Sequence, residues 1–279
     1  MDQVMKKSVE LDSIVPELWS AAFYPTIKEK LPFNSSISSD YEGEIQALGD
    51  IVNITTFPQF AAAQEMAEEE KVDADSITAS TTQLVINKQV VKDYIITERA
   101  LRQGMNAGNV LRDLAVFSIM KKMQLIIIEN VVPSASAPDH TVSFASGTTL
   151  ALADILGAKE LLDTADIEEA GRKMILGPAQ YNDLFNITGF ISRDFIPAGS
   201  PLTQGAITTP VCGFEVGWSS EVGNVAYCFH PLFMQMAVQE NPAVKVFDLG
   251  GEGKRQMRVN MTALFGVKQV SNLRVVTIG

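Results

Sequence analysis

The feature that most constrains the fold is a long acidic segment between two runs of residues that are typical of β-strands. The first run, GDIVNIT, alternates Val52 and Ile54 with polar residues, as a half-buried strand does. The second run, TQLVINKQVVKDYII, begins near Thr82. Because like charges at high density oppose burial, the segment between the runs is expected to be solvated or to meet a basic surface. The pattern predicts an extended hairpin arm that projects from the body. The charged residues of the segment are Glu65, Glu68, Glu69, Glu70, Asp73 and Asp75, against Lys71.

The composition is that of a globular protein with an acidic balance. Hydrophobic residues make up 46% of the 279 residues, and the formal net charge is -11, which disfavours a general attraction to nucleic acid or to an anionic membrane. Two cysteines, Cys212 and Cys228, are too few for a disulfide framework or a four-cysteine zinc site. The N-terminal residues lack the apolar run of a secretory signal, and no stretch approaches the ~20 apolar residues of a membrane span. We therefore expect a soluble protein that is made in a cytoplasm.

A long helix is predicted over residues 98–130, ending before Pro133. Val110, Leu111, Leu114, Phe117 and Met120 fit helical spacing. The charged residues of this segment do not gather on one stripe, which predicts contacts on more than one side, between layers or between subunits.

The rest of the chain predicts an arm and a mixed body. Residues 1–36 contain three prolines, and Trp19, Phe23 and Phe33 give this segment more apolar surface than a solvated tail carries. We expect an arm that buries these three side chains against another surface. Further along, helices are predicted after Thr148 or Thr149 and at Gly177-Pro178, a long loop over 189–210, and strands at KMILG, GFEVGW, NVAYCFH, near Met257–Met261 and at LRVVTI. The fold class is therefore α+β.

Motifs for catalysis, cofactors or metals are not recognisable. His140 and His230 lie outside any HExxH pattern, and no GxSxG elbow exists for a serine nucleophile. The glycine-rich stretch before Lys254 fails as a phosphate loop, because Asp248 replaces the first glycine and Arg255 replaces the magnesium-binding Ser/Thr. The acidic segment lacks the ligand spacing of a calcium loop. We predict no enzyme activity, no cofactor and no metal; a soluble hydrolase with an unfamiliar site is the distant alternative.

The order arm, hairpin, long helix, mixed body and returning strands resembles the major capsid proteins of tailed double-stranded DNA phages, the Hong Kong 97-type fold. The strongest match is PELWSAAFYPTIKEKLPF followed by DYEGEIQALGDIVNI, which is similar to the family's N-terminal arm and the first strand of its extended loop. GRKMILGPAQYNDLF resembles the strand and helix of the family's axial domain. GFEVGWSSEV and MTALFGVKQVSNLRVVTI resemble its Gly-Phe-x-Val strand and its closing strands. Together these segments cover most of the chain.

The resemblance implies a domain layout and a function. Subunits would assemble as pentamers and hexamers into an icosahedral head that encloses double-stranded DNA without sequence-specific contact. A scaffolding protein and a portal are expected partners, and a decoration protein is a possible one. The resemblance implies no membrane. Assembly would take place in the host cytoplasm and would give the virion capsid. The implied segments are an N-terminal arm (1–36), the extended loop with peripheral-domain strands (37–97), the spine helix of the peripheral domain (98–133), the axial domain (134–245) and returning peripheral-domain strands (246–279).

Candidate subunit-interface residues follow from the arm, the acidic segment and the basic residues that could meet it. Some family members cross-link subunits through a lysine–asparagine bond; Lys71 is the one lysine in the loop tip and no motif supplies its partner, so we predict no cross-link. A bacterial encapsulin compartment shares the fold and is the alternative function. The candidate residues are Trp19, Phe23, Phe33, Glu68, Glu69, Glu70, Lys71, Arg99, Arg102 and Lys122.

Overall fold

The computed structural model describes residues 32–40, 51–57, 63, 65, 77–97, 107–187, 207, 209–248 and 256–279, and it has the predicted α+β composition. The α-helices are α1 (Ala107–Glu129), α2 (Leu152–Thr164) and α3 (Pro178–Leu184). The strands are β1 (Ile51–Thr56), β2 (Ser80–Val85), β3 (Lys88–Thr97), β4 (Thr141–Val142), β5 (Lys173–Leu176), β6 (Glu215–Trp218), β7 (Ala226–Phe229), β8 (Met234–Asp248), β9 (Gln256–Gln269) and β10 (Val275–Ile278).

The predicted hairpin is present as the antiparallel pair of β1 and β2. Val52 and Ile54 are buried while the alternate residues of β1 are not, as the alternation predicted. The second strand run does not continue as one strand. It divides at Ile86–Asn87 into β2, which pairs with β1, and β3, which belongs to another sheet, because one straight strand cannot pair with both neighbours.

The hairpin packs against a three-stranded antiparallel sheet with the strand order β3-β9-β8. Val259 and Met261 of β9 are buried on one face, and Arg258 points to the other face, where it pairs with Asp93 of β3. This confirms the alternation predicted near the end of the chain.

The hairpin lies on the outer face of this sheet. Its buried residues cluster with Ala237 of β8 and Leu264 of β9. Gly266 of β9 marks the crossing point, because a Cβ built there would lie 2.6 Å from the carbonyl oxygen of Val85. Only a residue without a side chain lets the hairpin base pass this close.

Helix α1 packs on the opposite, inner face of the sheet and ends at Glu129, as predicted; residues 98–106 lie outside the described part. Of the residues that fit helical spacing, Met120 is buried, whereas Leu114 and Phe117 face away from the core. The sequence carries two apolar stripes at helical spacing, so periodicity alone could not choose the buried one. The buried stripe is Ala115, Val116, Ile119, Met120, Met123, Ile126 and Ile127.

The second sheet of the body is five-stranded, in the order β4-β10-β7-β5-β6. Helix α2 packs near β10 and β4, and α3 follows β5 with Gly177 as N-cap and Pro178 in its first turn, as predicted. The predicted cap of α2 by Thr148 or Thr149 is wrong. Ala151 is the N-cap, and the buried Asp154 carboxylate accepts hydrogen bonds from the N–H groups of Ala151 (2.9 Å) and Ala145 (3.0 Å).

The last strands of the chain are divided between the two sheets. Strand β8, which begins at Met234, pairs along its length with β9 of the three-stranded sheet. Strand β10 pairs with β7 and β4 of the five-stranded sheet. The last strands therefore return to both sheets, because the hydrogen-bonding edge that each strand finds depends on distant parts of the chain.

A core shared by both sheets joins the two halves of the body. Ile175, Phe229 and Val275 of the five-stranded sheet belong to the same cluster as the buried face of α1. Polar contacts reinforce the junction: the buried Gln124 amide donates to the Ser219 hydroxyl, and Lys121 pairs with Glu221 at 2.9 Å.

Arg172, which precedes β5, is almost completely buried and closes the turn after α2. Its guanidinium donates to the Asp163 carboxylate at 2.6 Å, to the Glu168 carbonyl at 2.9 Å and to the Ile167 carbonyl. Each of its three guanidinium nitrogens donates a hydrogen bond, which offsets the cost of burying the charge.

The Gly266 crossing predicts a specific effect of a single added methyl group. Gly266→Ala should lower the free energy of unfolding of the unassembled chain by about 1–3 kcal/mol, because the Cβ overlaps the hairpin backbone. The measurement is urea denaturation. Gly217→Ala in β6 is the matched control, because its Cβ would meet no atom nearer than 4.0 Å. Equal stability of the two variants would contradict the crossing.

The Asp163–Arg172 pair predicts a pH dependence. The Arg172 guanidinium holds the pKa of the Asp163 carboxyl below its ordinary value of 3.8. The pair therefore stabilises the fold above pH 3.8, and this contribution is lost as the pH falls through the lowered folded-state pKa. Asp163→Asn should make the free energy of unfolding fall less steeply below pH 5. Denaturation series across pH would test this, with Glu160→Gln as the control for the loss of a carboxyl group from the same helix.

Candidate subunit interface

The described residues offer little for catalysis. None of them form a cluster of His, Cys, Asp or Glu that could hold a metal ion. His140 is buried with Nδ1 3.1 Å from the Val275 carbonyl oxygen, and His230 accepts a hydrogen bond from the N–H of Leu232. Burial raises the pKa of the Cys228 thiol to about 12, which opposes its use as a nucleophile.

Among the described helices, none is long and apolar enough to cross a membrane. The apolar side chains that do reach the surface are distributed over separate elements of the fold. Neighbouring exposed apolar side chains that form a contiguous patch mark surfaces that contact other proteins, whereas scattered single residues do not. The candidate site is therefore sought where such side chains are neighbours.

The outer face of α1 is the first of these surfaces. Leu114 and Phe117 are each 60% exposed and lie three residues apart, so they are neighbours on the helix. Lys121 continues the same line and Lys122 lies on its flank. We call these four residues the α1 outer face.

The hairpin carries the second surface. Ile51 and Val85 are cross-strand partners that both point away from the body and are exposed. Beyond the end of β1, Phe57 is 73% exposed, and Ile77 approaches β2 with half of its surface exposed. A two-stranded ribbon is marginally stable alone, so an exposed apolar face on it favours a covering partner.

The five-stranded sheet carries further exposed groups near both of its edges. Trp218 of the edge strand β6 is 57% exposed, and its ring centroid lies 6.5 Å from that of Tyr181 of α3. Near the other edge, Leu152 and Leu156 of α2 are exposed. The apolar residues of α2 that are buried are Ile155, Ala158 and Leu162.

Two of the ten predicted interface residues, Phe33 and Lys122, lie in the described part of the chain. Phe33 is 0% exposed and stacks on Phe229 inside the shared core, so its side chain is buried within its own chain and not at the surface. The sequence showed its hydrophobicity but not its partner, which lies far away in the chain. Lys122 is exposed on α1. The other eight lie outside the described residues and stay predictions: Trp19, Phe23, Glu68, Glu69, Glu70, Lys71, Arg99 and Arg102.

The exposed residues that sequence reasoning missed are Leu114, Phe117, Trp218, Leu152 and Leu156. For α1, the charged residues do not gather on one stripe of the helix. This pattern predicted contacts on more than one side, but it did not identify which apolar residues are exposed. For Trp218 no sequence signal distinguished a surface position from a core one.

The arrangement of a hairpin and a long helix on opposite faces of a three-stranded sheet, beside a mixed five-stranded sheet, is the Hong Kong 97-type fold, the fold of tailed-phage capsid proteins. A chain from Mycobacterium phage Che8 aligns with a TM-score of 0.70 and 17% identity, over 90% of this chain and 91% of its own. The mature capsid of bacteriophage PhiM1 aligns at 0.62 and 11% identity, over 86% of each chain. A virus-like particle from Pyrococcus furiosus aligns at 0.58 and 10% identity, over 95% of this chain and 100% of its own. Neither a protein-family model nor a curated protein matches the chain.

The assignment of helix faces predicts how substitutions on α1 act on the unassembled chain. Leu114→Ala and Phe117→Ala should each change the free energy of unfolding by less than about 0.5 kcal/mol, because these side chains are largely solvated. Ile119→Ala, on the buried face, should cost about 2–5 kcal/mol. Urea denaturation monitored by circular dichroism measures both. A large loss for Phe117→Ala would place that side chain in the core.

Proposed function

We propose that this chain is the major capsid protein of a tailed double-stranded DNA phage. Copies of it would assemble as pentamers and hexamers into an icosahedral head that encloses the genome. The observation that carries this proposal is the fold, which extends over about nine-tenths of the chain and of the Che8 phage chain.

The distribution of exposed apolar side chains supports the proposal. They occur on the hairpin, on β3, on α1 and near both edges of the five-stranded sheet, rather than in one pocket. A closed ring needs two different complementary surfaces on each subunit, and a shell needs further contacts between rings. Several small separate surfaces fit this requirement better than the single concave site of an enzyme.

The net charge of the chain supports the proposal that the shell encloses DNA. The net charge of -11 opposes general adhesion of DNA to the subunit, which suits a container that must release its contents. A scaffolding protein, a portal and a possible decoration protein complete the proposed set of partners, with assembly in the host cytoplasm.

A second candidate function is the shell of an encapsulin-type compartment. The alignment with the virus-like particle from Pyrococcus furiosus favours it, because it covers the whole of that chain. The two functions differ in cargo, which is DNA for a phage head and protein for a compartment. A soluble hydrolase remains the distant alternative, with no described residue cluster that supports it.

Expression of the full chain, alone and with the candidate scaffolding protein of its phage, tests the proposal. We expect rings or hollow shells of uniform size in size-exclusion fractions viewed by negative-stain electron microscopy. Shells that form alone and retain a host-encoded enzyme would favour the compartment. A compact monomer or dimer that never assembles, at any salt concentration or with the partner, would contradict both.

A further inference from the structure

The chain passes between the two sheets at two neighbouring crossings. It leaves β7 of the five-stranded sheet through a single helical turn, His230–Phe233, and enters β8 of the three-stranded sheet; we call this segment the junction turn. It returns from β9 to β10 through a second connection. Backbone hydrogen bonds join the two: the Phe233 carbonyl accepts from the N–H groups of Val270 (2.8 Å) and Ser271 (3.1 Å), and the His230 N–H donates to the Arg274 carbonyl (3.0 Å). The conformation of the junction turn therefore affects how the two sheets are connected.

The imidazole of His230 holds the junction turn in its neutral form. The side chain is buried, with 8% of its surface exposed, and it caps the turn by accepting a hydrogen bond from the N–H of Leu232 at Nδ1 (3.4 Å). A second hydrogen bond joins the ring to the backbone of Ala170. A ring nitrogen that accepts a hydrogen bond carries no proton, so the contact with Leu232 requires the neutral imidazole.

The surroundings of the ring oppose a positive charge. The charged groups that face it are Arg274, which precedes β10, Arg172, which precedes β5, and Glu168 in the turn after α2. Burial lowers the pKa of His230 below its ordinary value of 6.5, and the two guanidinium groups lower it further, whereas Glu168 and the Ala170 backbone act in the opposite direction. A proton on His230 would add a third cation beside two others that are fixed in place.

We propose that His230 is a pH-sensitive switch that controls the junction turn between the two sheets. The neutral ring caps the turn and keeps the two crossings hydrogen-bonded to each other. When the ring takes up a proton, Nδ1 becomes a donor and the hydrogen bond from Leu232 is lost. The junction turn then opens more often, and the connection between the sheets loosens. The switch lies within one subunit, and it goes beyond the proposed function because it does not depend on assembly.

The lowered pKa fixes the direction of the pH dependence. Because the pKa of His230 is lower in the closed turn than the ordinary value of 6.5, the closed turn binds fewer protons than the open turn does. The closed turn is therefore fully stable above pH 6.5. It loses stability as the pH falls from 6.5 towards the lowered pKa, and the loss levels off below that pKa. Within this window, uptake of one proton on opening increases the open population by up to about tenfold per pH unit.

Amide hydrogen exchange of the full chain, measured by mass spectrometry from about pH 5 to pH 8, tests the switch. His230→Asn is the matched variant, because the asparagine side chain can cap the turn but does not take up a proton in this range. Comparison with the wild type at each pH cancels the intrinsic pH dependence of exchange. Below pH 6.5, we expect the amides of Leu232, Phe233 and Val270 to lose protection in the wild type relative to His230→Asn. The hairpin strands β1 and β2 are the internal control and should show no such difference.

Two charge variants that keep the imidazole give an independent measurement. Arg274→Gln removes a facing cation and should raise the pKa of His230, whereas Glu168→Gln removes the facing carboxylate and should lower it. Exchange of the imidazole Cε1 hydrogen, followed by mass spectrometry, reports the pKa of each histidine. The loss of protection of the junction turn below pH 6.5 should become smaller in Arg274→Gln and larger in Glu168→Gln.

Each outcome supports or overturns the switch. Equal pH dependence of the junction turn in the wild type and in His230→Asn overturns it. A loss of protection that extends equally to the hairpin also overturns it, because the acid effect would then be unfolding of the whole chain. If His230→Asn does not fold, the charge variants decide, and protection that does not follow the pKa of His230 overturns the proposal. The capsid proposal stands or fails on assembly, which this experiment does not measure.

Discussion

The burial of one face of α1 is the interaction on which the rest of the structure depends. That face packs against the inner side of the three-stranded sheet and against residues of the five-stranded sheet in a single cluster. Phe33, Phe229 and Phe233 extend this cluster through stacked and tilted ring contacts, so the segment before the hairpin is held by the same core. Burial of this many apolar side chains orders the two sheets relative to each other.

The position of the hairpin is fixed by its contacts with the body. Its buried residues, such as Val52 and Leu84, contact Ala237 across the outer face of the sheet, and Gly266 lets its base approach the backbone of β9. An element fixed at its base by a small cluster and exposed along its outer face is placed to contact another molecule. The fold therefore separates the buried core, in the body, from exposed apolar surface, on the hairpin and on the outer side of α1.

The sequence predicted the elements better than their faces and partners. The hairpin strands, the end of α1 before Pro133, the start of α3 at Gly177-Pro178 and the alternation in β9 follow from local periodicity and turn chemistry, and all are present. The spacing of Leu114 and Phe117 did not identify the buried face of α1, because two faces of the helix have the same periodicity. The sequence did not place Phe33 in the core of its own chain, because its ring partners are nearly 200 residues away.

What the sequence by itself determined is the α+β class, the order of the elements, the acidic character of the segment 58–76 and the absence of a recognisable catalytic motif. These properties depend on spacing and composition, which are local. The tertiary structure decided which face of α1 is buried, that β10 joins the five-stranded sheet, that Arg172 closes the turn after α2, and that Trp218 reaches the surface. Each of these depends on contacts between residues far apart in the chain, and a pattern within one segment carries no information about its distant partner.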